Sequence, residues 1–349
     1  MVKILKHNLL YLTEDLKKEI ILEDIFDEKG NILVGKGTLI NEYTLDILKK
    51  SNVKKVLVYP SKKRCINIPC NKTALEYKEC RLVLQDIIIK MAVGKGVNPN
   101  AIDCIFESLS KEINYNREMI GYTNNIKDND EYTYNHSVNV AVYSLFIGRL
   151  LDLNKEELRE LCQAALLHDL GKSNIPNEIL NKKGKLTKEE FKLVKKHPLD
   201  GYKLSKEMPF LSEKVRYGIL CHHEREDGSG YPYGIKGEEI NLYAKIIAIG
   251  DVYDALTSER VYKEKSTPFE AIEEFYNMGF EKFDTNILNL FLKNIVQLYV
   301  NSKVELSNGR VGKIKFIHPN KITQPVVKID GDYLKLWEDN YLKIEEIVG

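Results

Sequence analysis

Five of the chain's seven histidines, His136, His168, His197, His222 and His223, fall in one stretch of the 349-residue sequence. Two of them are adjacent, Asp169 follows His168 directly, and Asp251 precedes Asp254 by three positions. Imidazole and carboxylate without thiolate make a mixed nitrogen and oxygen donor set. Such a set suits iron, manganese, zinc or nickel at a catalytic centre better than a structural zinc. Seven donors, His136, His168, Asp169, His197, His222, His223 and Asp251, exceed what one ion needs. A carboxylate beside a histidine can bridge, so two divalent ions about 3.5–4 Å apart, activating water for attack on phosphorus, are the natural expectation. A lone His-Asp pair is usually incidental, and a lone histidine is more often a hydrogen-bonded core residue. It is the accumulation that points to chemistry.

Two further groups could meet an anionic ligand. Arg260 and Lys263 stand at i, i+3, so on a helix both cations project from one face toward phosphate oxygens, although the same spacing also describes a solvated basic patch. Gly228 and Gly230 allow a tight loop that presents Tyr231 beside the metals, against the plainer reading of an interhelical turn. Asp254 shares the helix face of Asp251 and either orients a ligand or makes a core contact, the former being favoured.

These residues need helices to carry them, and from His136 to about Val300 the pattern is almost wholly helical. Asn154 with Glu157, Thr187 with Glu190, and Thr267 with Pro268 and Glu270 match helix-start spacings, each contributing about 1 kcal/mol to its helix. Ala164 to Leu167 is small and apolar on every side, as a helix end inside a bundle requires. Upstream, helices are predicted over Ala74–Val93 and Asn100–Met119, after a polar connector at Lys62–Lys72 and before a charged loop at Lys127–Glu131. The first sixty residues read as a hairpin around Asp27–Asn31, a helix over Glu42–Lys50 and a strand over Lys54–Val58. Beyond Val300, turns at Asn308–Gly309 and Asp330–Gly331 separate strand-like runs, which predicts a small antiparallel module. The expected fold class is mainly α, a helical bundle with small β-containing modules at both ends. The boundaries are 1–61, 62–122, 123–300 and 301–349.

Composition narrows the partners. With 52 basic and 51 acidic residues there is no field to draw in a nucleic-acid polymer. No run is long enough for a membrane span, and the first residues lack the pattern of a secretory signal. The six cysteines contain no Cys-x-x-Cys pair, which fits a reducing, cytoplasmic location, with Cys162 and Cys221 as small core residues. A homodimer is compatible with all of this.

The runs His168-Asp-Leu-Gly-Lys172 with Ile175-Pro176, His197-Pro198, His222-His-Glu224 followed by Asp227-Gly-Ser-Gly-Tyr-Pro232, and Asp251-Val-Tyr-Asp-Ala-Leu-Thr-Ser258 with Arg260 resemble the HD-GYP subfamily of HD-domain phosphohydrolases. The resemblance covers about residues 130 to 295 and leaves the flanking modules outside. It implies an HD-type bundle that hydrolyses cyclic di-GMP to pGpG, and on to GMP, with two divalent metals, iron or manganese. It implies that His136, His168, Asp169 and Asp251 hold one metal and His197, His222 and His223 the second, with Asp169 bridging. Lys172 would lie near the scissile phosphate, and Gly230, Tyr231, Arg260 and Lys263 would hold the cyclic dinucleotide. One departure matters: members with three metals carry a glutamate four residues before the first histidine, where this chain has Tyr132, and the adjacent Glu131 would point away. Thr285, where the family often has proline, should affect only a helix start. The rival readings are a slow cyclic-dinucleotide receptor and another nucleotide phosphohydrolase of the same superfamily, the latter having no need of the Gly-Tyr-Pro loop.

Overall fold

The computed structural model describes the chain apart from residues 1–7, 13–15, 17–20, 22, 28, 37, 39, 59–69, 93–95, 116–131, 183, 259–265, 340 and 349. Contacts divide it into two compact units. One comprises residues 69–266 and 274–291, and the other comprises residues 1–68, 267–273 and 292–349. The two ends of the chain, read from sequence as separate modules, thus fall in one unit, while the helices read as a connector fall in the other.

The first unit is helical. Its long helices are α2 (Cys70–Ala92), α3 (Pro99–Tyr115), α4 (Tyr132–Leu150), α5 (Lys155–Leu167), α8 (His197–Ser205), α9 (Glu213–Cys221) and α10 (Leu242–Thr257). Short α6 (Asn177–Leu180) and α7 (Lys188–Val194) connect α5 to α8. Asn154 caps α5 by accepting from the amides of Glu156 and Glu157 while Glu157 accepts from the Asn154 amide, and Thr187 with Glu190 repeats the device at α7. The centre is α4, whose Val138, Val140, Ala141, Val142, Tyr143, Leu145 and Ile147 are all buried, so it has no solvent stripe to advertise. It packs on α5 and α10, and α9 packs on α5, α8 and α10. Gly218 of α9 allows close approach to α5, since a Cβ there would meet the Ala164 Cβ at 2.9 Å.

The second unit contains α1 (Glu42–Lys50), capped by Asn41, and strands β1 (Asn8–Tyr11) and β4 (Lys55–Val58), paired antiparallel. A second pair, β2 (Ile25–Phe26) and β3 (Ile32–Val34), forms the expected hairpin. The C-terminal segment is a five-stranded antiparallel sheet of order β8-β7-β6-β5-β9, with β5 Lys303–Leu306, β6 Val311–Phe316, β7 Val326–Ile329, β8 Asp332–Lys335 and β9 Ile344–Ile347. The Asn41 amide donates to the Lys315 carbonyl, and Tyr43 packs on Phe316 and Tyr333, tying α1 to this sheet within the unit. Helices α11 (Pro268–Met278) and α12 (Thr285–Ile295) each have residues in both units. Asp284 accepts from the amides of Asn286 and Ile287, so a side-chain cap starts α12 ahead of Thr285.

Candidate metal centre

Four of the five histidines of the cluster sit at or next to a helix terminus that aims them inward. His168 follows the last turn of α5, His197 opens α8, and His222 and His223 follow α9. Near a C-terminus the carbonyl three residues back has no intrahelical partner, and here the imidazoles take that role. His168 Nδ1 lies 2.7 Å from the Ala165 carbonyl and His222 Nδ1 2.7 Å from that of Ile219, while His197 Nδ1 lies 2.7 Å from that of Val194, at the end of α7. A carbonyl only accepts, so each Nδ1 carries its proton, and the neutral ring turns an Nε2 lone pair into the site. His136, inside α4, is oriented differently: its Nδ1 is 2.7 Å from Asp254 Oδ2, and Asp254 Oδ1 accepts from Asn139 and Ser258. Asp254 is therefore an orienting residue, fully buried and one layer behind the imidazole.

The donor atoms converge. Asp169 Oδ2 lies 3.4 Å from His168 Nε2 and 3.6 Å from His136 Nε2, while its Oδ1 lies 3.4 Å from His197 Nε2. Asp251 Oδ1 is 3.2 Å from His136 Nε2, and its Oδ2 is 4.0 Å from His223 Nδ1. Three overlapping groups of donors each lie within 4.8 Å of one another: His136, His168 and Asp251; His168, Asp169 and His222; and His197, His222 and His223. The structure thus brings together all seven residues singled out as ligands.

Several observations show that this set fits cations. His168 Nε2 and Asp169 Oδ1 are buried and have no hydrogen-bond partner among the described residues, an expensive state for polar atoms unless something else satisfies them. His197 Nε2 and His222 Nε2 face each other at 3.2 Å, and with both Nδ1 protons committed to carbonyls these are two opposed lone pairs. A positive ion between them removes the conflict. Burial keeps His168, His197, His222 and His223 below the ordinary histidine pKa, the last two far below, so their nitrogens stay unprotonated as metal ligation requires. His136 is the exception: burial opposes its charge, but hydrogen bonds to Asp251 and Asp254 outweigh it and raise its pKa to about 9. Burial would raise Asp169, yet Lys172 and the surrounding imidazoles hold it well below the usual carboxylate range. Asp251 is likewise held low, by His136.

Around the donors stand the remaining candidates. Lys172 Nζ is 2.6 Å from Asp169 Oδ2, on the 3-10 turn Leu170–Asn174. A side chain at Gly171 would collide with the backbone at His197 and Gly201, so this glycine sets how closely the turn approaches α8. The Tyr231 ring stacks on His223 with centroids 4.6 Å apart, and its amide donates to the His223 carbonyl. A Cβ on Gly230 would meet Arg225 N, Glu224 Cα and His223 O at 2.5 Å each, so no other residue lets the loop fold back this closely. Glu224, to which the sequence reading gave no role, holds that loop: its carboxylate, 2% exposed, accepts from the amides of Tyr233 at 2.7 Å and Gly234 at 3.0 Å. Its position directly after the two histidines and before a glycine-rich run was the available signal. Arg260, Lys263 and Glu131 lie outside the described residues, as does the side chain of Tyr132.

Comparison with known proteins places this arrangement. Residues 122–287 match the family model described as HD domain. The Gly230-Tyr231-Pro232 run lies within the matched residues. It is 41% identical over 204 residues, 58% of this chain and 49% of the relative, to the cyclic di-GMP phosphodiesterase PA4108 of Pseudomonas aeruginosa. It is also 35% identical over 176 residues, 50% of this chain and 41% of the relative, to the 3'3'-cGAMP-specific phosphodiesterase 1 of Vibrio cholerae. The chain spans about half the length of the curated relatives it matches. In fold it is similar to Bd1817, a HDG"Y"P protein from Bdellovibrio bacteriovorus, with a TM-score of 0.54 at 16% identity, covering 82% of this chain and 98% of that one. Among the described residues no helix is long and apolar enough to cross a membrane.

Proposed function

We propose that the chain hydrolyses cyclic di-GMP to pGpG, and pGpG to GMP, at a centre holding two divalent cations within residues 123–300. The observation that carries this reading is Asp169, a buried carboxylate with one oxygen toward His136 and His168 and the other toward His197. In the proposed arrangement His136, His168, Asp169 and Asp251 hold one ion, His197, His222 and His223 hold the other, and Asp169 serves both. Iron and manganese suit these ligands equally. When bound, the ions would supply Lewis-acid activation of water at neutral pH and neutralise charge on the phosphate.

The protein's own groups divide the remaining work. The carbonyls of Ala165, Val194 and Ile219 fix three imidazoles in the ligating tautomer, and Asp254 does so for His136. Lys172, with its side chain 29% exposed, carries a cation to the edge of the cluster, where it stabilises negative charge developing as the bond from phosphorus to the 3′ oxygen breaks. Glu224 and Gly230 hold Tyr231 against His223, giving the dinucleotide a wall beside the metals. Arg260 and Lys263 are proposed to grip its phosphates. A cytoplasmic site of action suits a chain whose Cys80, Cys104, Cys162 and Cys221 are all free thiols.

The test is incubation of purified, metal-loaded protein with cyclic di-GMP, with and without chelator, followed by product chromatography and elemental analysis. The expected result is chelator-sensitive release of pGpG. Saturable binding without linear product would replace the enzyme reading with a receptor, and exclusive cleavage of 3′3′-cGAMP would move the substrate to the mixed dinucleotide.

A further inference from the structure

Lys195 lies between the end of α7 and the metal-site residue His197. Its ammonium stands 5.1 Å from the centroid of the Tyr231 ring and 4.9 Å from that of Phe191. Tyr231 in turn stacks on His223. A continuous wall therefore runs from the candidate metal centre through Tyr231 to Lys195 and on to Phe191, which is 48% exposed. Among the described residues Lys195 forms no ion pair with a carboxylate, in contrast to Lys172 and Lys182, whose ammonium groups lie 2.6 Å from carboxylate oxygens. An aromatic face attracts an ammonium without consuming its three N–H donors. The two rings thus hold a cation at a fixed place while leaving its donors to a ligand.

A cyclic dinucleotide carries two phosphates in one ring. If one occupies the metal centre beside Lys172 and the ring rests against Tyr231, the other comes toward Lys195. We propose that Lys195 binds this second, uncleaved phosphate and so selects cyclic dinucleotides over phosphodiesters that carry a single phosphate. The inference rests on the cyclic dinucleotide reading given above. Lysine suits this role as a compact point charge on a flexible stem, able to follow the phosphate as the ring opens.

The test compares Lys195→Met, which keeps the apolar stem over the rings and removes the charge, with Lys195→Arg, which keeps the charge. Each is assayed on cyclic di-GMP and on bis(p-nitrophenyl) phosphate, which has one phosphate and no nucleobase, and cyclic di-GMP binding is measured by calorimetry. For Lys195→Met, KM and Kd for cyclic di-GMP should rise roughly tenfold, the effect of losing one charge-assisted contact, with kcat within about twofold. Turnover of bis(p-nitrophenyl) phosphate should be unchanged, and Lys195→Arg should stay near wild type on both substrates. Unchanged KM and Kd in Lys195→Met would overturn the assignment and leave the proposed hydrolysis standing. Equal losses on both substrates would overturn it too, by placing Lys195 in the support of the metal centre. Wild-type protein that cleaves bis(p-nitrophenyl) phosphate but neither binds nor cleaves cyclic di-GMP would end both the substrate reading and this inference.

Discussion

Among the described residues, like groups crowd together both in the helical unit and in the five-stranded sheet. In the helical unit, imidazoles meet in a buried cluster with two Nε2 atoms 3.2 Å apart. In the five-stranded sheet, Lys303, Lys313 and Lys328 stand directly opposite one another on adjacent strands, with Tyr333 next in the row. The sheet row is exposed or half-buried, so water and salt screen it at little cost. The imidazoles are shut away from water, where an unsatisfied lone pair costs several times more. The same crowding is a minor surface defect in one place and a demand for cations in the other. Burial, not proximity, separates them.

The strongest way to break that contrast is to remove the shared carboxylate. Asp169→Asn keeps the shape but leaves the two donor sets without a common anion. Loss of several kcal/mol of charge stabilisation should lower the hydrolysis rate by about 10³, with metal content reduced by elemental analysis. Retention of activity and full metal content would remove Asp169 from the centre.

Proton competition comes next. In metal-free protein His168, His197, His222 and His223 resist protonation when folded, so the unfolded chain binds more protons below about pH 6.5 and stability falls as pH falls. His136 has the opposite sign: its pKa of about 9 means the folded state holds the extra proton, a contribution complete below about pH 6.5 and lost as pH rises toward 9. Thermal unfolding of the chelated protein should therefore show a maximum near pH 6.5 with decline on both sides. The metal-loaded protein, in which His136 must give up its proton, should lose the alkaline decline. A metal-free profile that is flat from pH 5 to 9 would contradict the arrangement.

Smaller effects test the supporting residues. Asp254→Asn leaves His136 in place but weakens the acceptor behind it, so metal affinity should fall by about 10–100-fold, the usual range for a residue that orients a ligand. Glu224→Gln offers one acceptor where two amides need one each, leaving either Tyr233 or Gly234 unpaired at roughly 1–3 kcal/mol. Its signature should be a raised KM for cyclic di-GMP with unchanged metal content, whereas a merely structural role would lower the unfolding temperature and leave KM alone.

How much of this was visible in the residues depends on the range of the interaction that fixes each feature. The starts of α5 and α7 were legible because Asn154 and Thr187 act on amides two or three residues away. The gathering of these histidines and acids was legible because histidine is scarce in this chain and five of the seven fall in one stretch. The backbone carbonyls that orient three of the rings were not, since a carbonyl has no sequence identity; the orienting role of Asp254 was read from the sequence, but its contact with Asn139 arises only because α4 packs on α10. Strand β9 was missed for a similar reason: Glu345 and Glu346 are both exposed, which breaks the alternation expected of a strand, and its partner β5 lies some forty residues away. The pairing of the chain's two ends in one compact unit depends on contacts such as Asn41 with Lys315, a separation of 274 residues that no local pattern records.

The lysine row supplies the weakest test and the one that most directly opposes surface crowding to buried crowding. Burial together with Lys313 and Lys328 lowers the pKa of Lys315, so the repulsion reaches beyond the row itself. Lys313→Glu places an anion between Lys303 and Lys328 and converts two repulsive cross-strand pairs into attractive ones. Each such change is worth about 0.2–1 kcal/mol, so the sheet should gain stability at low salt. Because these groups are solvated, the gain should shrink as ionic strength rises toward 1 M, where charges are screened within about 3 Å. The destabilisation caused by acid in the metal-free helical unit should respond far less to the same salt, because its charges are buried. If Lys313→Glu stabilises nothing at low salt, the row is already neutralised by a bound anion, and the distinction between tolerated and demanding crowding fails at its milder end.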